Sequence, residues 1–284
     1  MAVMEISAQL TYGGTNCMLF RKGESNLLID PHFTRPPFLS LLDKIKPSPE
    51  KIKAGLARLG IQSLAGVLLT HTHYDHALDA VETACQTGAP LFGSPSSAQL
   101  AAGAGLAPDL FHQIQQGESL QAGDFTVRFL PSQHIQFPRP LSRLASIAAP
   151  IPQPLRPPAW FWQYRCGEVS AILVDRTLVF GSAAFLSGAY QGLEVETVVL
   201  GIGGLGFRPR SYLEKLYQET VVASGARQVL ISHWDNFFRP IRAGLHSLGR
   251  VGWTMEHLRP LAERYGQTIS ILKYNQPVDL VVSP

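Results

Sequence analysis

Apolar positions along the chain fall in short runs broken by glycine and proline. Ile6–Tyr12, Cys17–Arg21 and Asn26–Asp30 are apolar or alternating and are separated by Gly13-Gly14 and Gly23-Glu24, the pattern of strands joined by turns. Pro31–Glu50 carries five prolines and reads as a loop. Pro49–Leu59 predicts a short helix, with Pro49 at its start and Gly60 past its end. Ala65–Thr70 predicts a buried strand, Asp75–Thr87 a helix closed by Gly88, Pro90–Phe92 a brief strand, and Ser94–Ala102 a helix entered through Ser94-Pro95.

A second strand-rich block follows at Leu110–Ile114, Phe125–Leu130, Phe161–Cys166, Val169–Val174 and Thr177–Phe180. The last third alternates: strand Thr197–Leu200, helix Tyr212–Ser224, strand Val229–Ser232, helix Thr254–Tyr265, then strands Thr268–Leu272 and Val278–Val282. The order β-rich, βα, β-rich, βα predicts an α/β protein of two sheets packed face to face with helices outside. No repeat of about 20–50 residues is present, which argues against a solenoid or propeller.

The chain has 284 residues, 45% of them hydrophobic and 16% charged. That excludes a disordered chain and a long charged coiled coil. The formal net charge of +3 is too small to imply general nucleic-acid binding. No apolar run is long enough to predict a membrane span, and the first residues do not resemble a secretion signal. Cys17, Cys85 and Cys166 are far apart, which predicts reduced thiols and a cytoplasmic protein.

The segment Thr70-His71-Thr72-His73-Tyr74-Asp75-His76 is the most informative. Four metal-competent side chains fall within six residues behind an apolar strand, and imidazole nitrogen with carboxylate oxygen suits zinc and similar divalent ions. At a strand end, His71 and His73 point the same way, and the turn into a helix sends Asp75 and His76 toward a neighbouring point. The spacing therefore suits two metal sites. His134 and His233 also follow predicted strands and are candidate further ligands. His112, His246 and His257 lack that setting.

With these residues the chain resembles the metallo-β-lactamase fold superfamily of metal-dependent hydrolases. The signature H-x-H-x-D-H is matched at His71, His73, Asp75 and His76, and the later family histidines at His134 and His233. Leu27-Leu-Ile-Asp30-Pro31 resembles the family's strand ending in a supporting aspartate, and Leu200-Gly-Ile-Gly-Gly204 its Pro-Ile-Gly-Gly loop. The resemblance implies a four-layer αββα sandwich with metals at one edge of the two sheets. It assigns His71, His73 and His134 to one metal, and Asp75, His76 and His233 to the other. In place of the family's bridging aspartate stands Ser182. The resemblance therefore implies two divalent ions, most simply Zn with Mn or Fe as alternatives, and a weaker second site. It implies one domain over residues 1–284 with a Pro/Arg-rich inserted loop at about 135–158.

Gly201-Ile-Gly203-Gly-Leu-Gly206 also satisfies a dinucleotide fingerprint, but Phe207-Arg-Pro-Arg210 intervenes before the next predicted helix, so a close-approach glycine loop is the better reading. Arg-Pro occurs six times, at Arg35, Arg139, Arg156, Arg208, Arg239 and Arg259. The window Phe125–Gly167 holds five arginines and no acidic residue, and eight prolines lie in residues 131–158. A basic, apolar, stiffened loop beside a cationic metal pair suits an anionic substrate with a greasy part, with Arg139, Arg156, Arg208 and Arg239 as candidate binding residues. A solvated surface loop or a partner interface accounts for the same composition.

The expectation is a metal-dependent hydrolase in which a metal-bound hydroxide attacks an ester or phosphodiester. In that scheme Asp75 ligates and orients the hydroxide, Ser182 hydrogen-bonds it, and Asp30 orients a ligating histidine. A lactone or cyclic amide hydrolase is the alternative enzyme, and a non-catalytic binding protein with a vestigial site the alternative of another class. The expected partner is a small-molecule substrate, with no specific nucleic acid and with a homo-oligomer left open.

Overall fold

The computed structural model describes residues 5–136, 149–241 and 244–282. The first sheet contains β1 (Glu5–Gly14), β2 (Cys17–Lys22), β3 (Ser25–Ile29), β4 (Gly66–Leu68), β5 (Leu91–Gly93) and β6 (Phe111–Gln113). The second contains β7 (Ser119–Ala122), β8 (Phe125–Pro131), β9 (Ser170–Val174), β10 (Thr177–Phe180), β11 (Thr197–Gly201), β12 (Gln228–Ser232) and β13 (Thr268–Ile271). A last strand, β14 (Pro277–Val282), returns to the first sheet beside β1. The orders are β14-β1-β2-β3-β4-β5-β6 and β13-β12-β11-β10-β9-β8-β7.

Both sheets follow one plan. From β14 to β3, and from β7 to β10, neighbours are antiparallel; from β3 to β6, and from β10 to β13, they are parallel. Parallel neighbours need crossovers, which cover the outer faces. The helices α1 (Pro49–Arg58), α2 (Tyr74–Ala77), α3 (Ala80–Thr87), α4 (Pro95–Ala104), α5 (Arg210–Tyr217) and α6 (Val251–Arg264) lie in these connections or after them.

The central strands are apolar on both faces because both faces are covered. In β3, Leu27 and Ile29 enter the core between the sheets with Phe125, Phe129 and Val179, while Leu28 faces outward onto Ile52, Leu56 and Val81. In the second sheet, Val199 and Leu230 face inward; Val198, Leu200 and Ile231 pack under Leu213, Leu216, Met255 and Leu258. Each fully buried aliphatic side chain contributes about 1.5–3 kcal/mol, so three apolar layers hold the two sheets and their helices as a four-layer α/β sandwich.

Local signals account for several helix ends. Ser48 accepts from the Lys51 amide ahead of Pro49, Ser94 accepts from the Ser97 amide ahead of Pro95, and α3 closes at Gly88 with φ +64°.

Three features depart from the sequence pattern. The helix predicted over Asp75–Thr87 is broken between Ala77 and Ala80. Asp79, at the break, accepts from the backbone amides of Phe33 and Thr34 at 2.6 Å each. It thereby ties the His71–His76 segment to the loop after β3. The strand predicted over Phe161–Cys166 is instead a 3-10 turn at Phe161–Gln163 followed by irregular chain. Its aromatic spacing mimics a strand, but Phe161, Trp162 and Tyr164 line a cavity rather than pair in a ladder. The third, β7, has no strong apolar signal; it pairs with β8 around Gly123, whose φ is +58°.

Candidate metal centre

The carboxyl ends of β3, β4, β8, β10, β11 and β12 converge on one edge of the sandwich, the edge where parallel strands place loops around a ligand. At the end of β4 the ladder is taken over by Asp30. Its carboxylate accepts from the Thr70 amide at 2.8 Å, the Thr70 hydroxyl at 2.6 Å and the Asn16 amide group at 2.8 Å. It also lies 2.7 Å from His76 Nδ1.

These bonds set the histidine tautomers. Because Thr70 gives its hydroxyl hydrogen to Asp30, its Oγ1 accepts from His71 Nδ1, 3.0 Å away. The His71 Nε2 lone pair is then bare, and that atom is buried without a partner. His76 donates from Nδ1 to Asp30, which leaves Nε2 free, 3.7 Å from Asp75 Oδ2. His134 donates from Nδ1 to the Ile135 carbonyl at 2.8 Å, and its Nε2 lies 3.2 Å from His73 Nδ1. His233 Nε2 lies 3.3 Å from Asp75 Oδ2.

Two triads result, His71 with His73 and His134, and Asp75 with His76 and His233; within each, one donor atom per residue lies within 4.8 Å of the others. The rings of His71 and His76 are 4.0 Å apart, so the triads are adjacent. The donor chemistry fits two divalent ions: neutral imidazole nitrogens, one carboxylate, and lone pairs bared by hydrogen bonds on the opposite ring atoms. Burial keeps the imidazoles of His71, His73 and His134 neutral, lowering His73 to about 4 and His134 to about 3, with further lowering from neighbouring histidines. Burial opposes ionisation of Asp75, but His76 and His233 outweigh it and hold Asp75 as a carboxylate. Burial likewise disfavours charge on His76, yet Asp75 and Asp30 together raise its pKa.

His233 sits in the left-handed region at φ +52°. Its amide donates to the Thr15 carbonyl at 2.7 Å, and Gly203 backs its ring: a Cβ there would lie 2.8 Å from His233 Nδ1. This is the close approach that the glycine loop serves. The loop leads into a 3-10 turn at Leu205–Phe207, not directly into a helix. Gly181 serves similarly where the sheets meet, since a Cβ would lie 2.3 Å from Thr70 Oγ1. Ser182 lines the cavity above the triads, and its Oγ accepts from the Ile135 amide at 3.0 Å, fixing the loop that carries His134.

The cavity over the two triads is about 510 Å³ and is walled mainly by Phe38, Tyr74, Ile135, Phe161, Trp162 and Phe237. Arg156, Arg208 and Arg239 are not among its lining residues. Arg156 borders a separate groove. Arg208 donates to the Gln136 carbonyl at 3.0 Å and stacks over Tyr212. Arg239 is exposed. Arg139 and half of the Pro/Arg-rich loop, residues 137–148, lie outside the described residues.

Several supporting residues escape motif reading. His32, two positions after Asp30, is fully buried with neither ring nitrogen hydrogen-bonded, its ring 6.2 Å from that of Tyr74. Burial, then Arg35, lowers it to about 3. Arg35 itself is buried at φ +43° in an ion pair with Asp235. Asp235 also accepts from the Thr15 amide at 2.8 Å, so this pair locks the loop after β12, which carries His233, to the loop after β3. An arginine inside an Arg-Pro dipeptide reads as a surface residue; only its buried acidic partner, 200 residues away, reveals otherwise.

The sequence profile of the metallo-beta-lactamase superfamily matches residues 10–174. The chain belongs to that superfamily. The match spans His71 through His134, whereas Ser182 and His233 lie beyond it. A UPF0173 metal-dependent hydrolase of Methylobacterium nodulans is 24% identical over 183 residues, 64% of this chain and 69% of that protein. The fold is similar to that of Igni18, a metallo hydrolase from Ignicoccus hospitalis, with a TM-score of 0.57 and 18% identity over 96% of this chain and 98% of that one. It is also similar to the diiron β-hydroxylase CmlA from Streptomyces venezuelae, with TM-score 0.57 and 15% identity over 97% and 55% of the two chains. A diphosphatase from the PhnP family superposes with TM-score 0.53 at 12% identity over the full length of both.

Proposed function

We propose that this metallo-beta-lactamase superfamily member is a metal-dependent hydrolase with two divalent ions, Zn first among them, that cleaves an ester or phosphodiester in a small molecule with an apolar part. The observation that carries this reading is the pair of adjacent ligand triads at the floor of an aromatic cavity. Its relatives' names, a metal-dependent hydrolase and a diphosphatase, agree with it. Ions held by the triads would supply an activated water and stabilise the negative charge of the transition state.

The protein's own groups would do the rest. Asp75, kept ionised, would ligate through Oδ2 and accept a proton or hydrogen bond from the nucleophile. Asp30 would hold the proton on His76 Nδ1. Ser182 already uses an Oγ lone pair on the Ile135 amide, so its hydroxyl hydrogen is free to point into the cavity. Phe161, Trp162 and Phe237 would exclude water and take the apolar part of the substrate. An anionic group of the substrate would meet the ions at the floor, because the described lining of the cavity includes no lysine or arginine.

The test is metal analysis of the purified protein with a panel of phosphodiester, ester, thioester and lactone substrates, run beside His71→Ala and His73→Ala. Two bound equivalents and hydrolysis that disappears in folded variants are expected. An unmetallated protein, or full activity in either variant, would overturn the reading in favour of a binding protein with a vestigial site.

A further inference from the structure

Six large apolar side chains are exposed among the described residues, and five of them gather at one place. Phe38, Trp162 and Phe207 line the mouth of the metal cavity, at 64%, 41% and 57% exposure. Leu39 and Leu42, 75% and 76% exposed, share the 3-10 turn Phe38–Leu42 but do not line the cavity. At three residues per turn, their i, i+3 spacing stacks them on one side. Soluble surfaces scatter such residues singly.

The turn is held rather than loose. The Phe38 ring packs edge-on against Phe238 at 5.4 Å. Downstream, Ile45 and Ala159 exchange backbone bonds of 2.8 and 3.0 Å, joining the turn to the segment that carries Trp160 and Trp162. Trp162 also walls an adjoining groove of about 650 Å³, where Lys44, Arg156 and Arg165 stand. Lys46, Arg208 and Arg239 follow the apolar residues in sequence. Against these stands Asp43, whose carboxylate accepts from the Lys44 amide.

We propose that this rim is a docking face for an anionic lipid surface, with Leu39 and Leu42 entering the headgroup–acyl boundary and the cations meeting lipid phosphates. An apolar projection flanked by lysine and arginine is the chemistry that such a surface selects. The cavity opens in the middle of that face, so an amphiphile could pass from bilayer to metals with its chain shielded from water. That delivery rests on the hydrolase reading; the docking does not.

The test is co-sedimentation of the full chain with phosphatidylcholine vesicles, with and without phosphatidylglycerol, in the absence of any substrate. Binding to the anionic vesicles is expected, weakened by salt. The double variant Leu39→Ser/Leu42→Ser should lose at least roughly tenfold in lipid affinity, and Arg156→Gln about fivefold. The double variant should keep the wild-type circular dichroism, metal content and turnover of a water-soluble ester. Failure of the wild type to bind either vesicle, or binding indifferent to the double variant, overturns the proposal. So does a stable dimer that the double variant dissociates without any vesicle binding, which would make the patch a subunit interface. Vesicle binding without hydrolysis would retain the docking face and remove only the hydrolase reading.

Discussion

Asp30 accepts the His76 Nδ1 hydrogen at 2.7 Å while both its oxygens also take donors from Thr70. One carboxylate thus sets the tautomer of His76 directly and that of His71 through the Thr70 hydroxyl. Asp30→Asn offers an amide N–H where the carboxylate accepted, and one of these bonds must break. Metal affinity should fall about 10–100-fold with the fold retained, as measured by competition against a chromophoric chelator.

Gly203 lets the backbone come within van der Waals reach of His233. Gly203→Ala would put a methyl group 2.8 Å from His233 Nδ1, inside normal contact, and displace the ring from Asp75. The expected outcome is a metal stoichiometry near one, with the site of His71, His73 and His134 retained. Unchanged stoichiometry by mass spectrometry would mean that His233 is not a ligand.

Ser182→Ala removes the acceptor of the buried Ile135 amide. An orphaned buried donor costs about 1–3 kcal/mol, and the adjacent His134 loses its anchor. Denaturant titration should show that loss, together with weaker metal binding in the first site.

His32 supplies a pH dependence with a defined sign. Its folded pKa of about 3 lies below the unfolded value of about 6.5, so between them the unfolded chain binds a proton that the folded chain does not. Stability from this group is present above the unfolded value and lost as pH falls toward the folded one, at about 1.4 kcal/mol per pH unit. His71, His73 and His134 are lowered in the same sense, so the metal-free protein should be acid-labile. His32→Leu should flatten that limb by about one proton in denaturation experiments from pH 4.5 to 6.5, and at neutral pH it should not destabilise, since both ring nitrogens lack partners.

The apolar–polar pattern carries the elements because the central strands are covered on both faces and each crossover helix on one, so burial is written locally as short apolar runs. The candidate ligand residues are equally local in origin. His71, His73, Asp75 and His76 occupy one strand exit, and His134 and His233 stand behind other strands of the same edge. What misled the local pattern was chain whose partners are distant. Phe161–Tyr164 has strand-like spacing, yet its aromatics wall a cavity. Asp79 breaks a helix because Phe33 and Thr34 require its carboxylate.

The two sheets, the motif and the metal-competent residue types follow from the chain by itself, since periodicity and residue chemistry are properties of neighbours in sequence. The three-dimensional arrangement decided which lone pairs are bare, because tautomers depend on Asp30, Thr70 and the Ile135 carbonyl brought together from separate elements. It also decided that Arg35 is a buried lock between two loops, and that the cavity over the triads is aromatic. Charge along the chain is additive and visible; its placement around a cavity depends on which loops meet there, and here the described arginines stand outside a wall of rings.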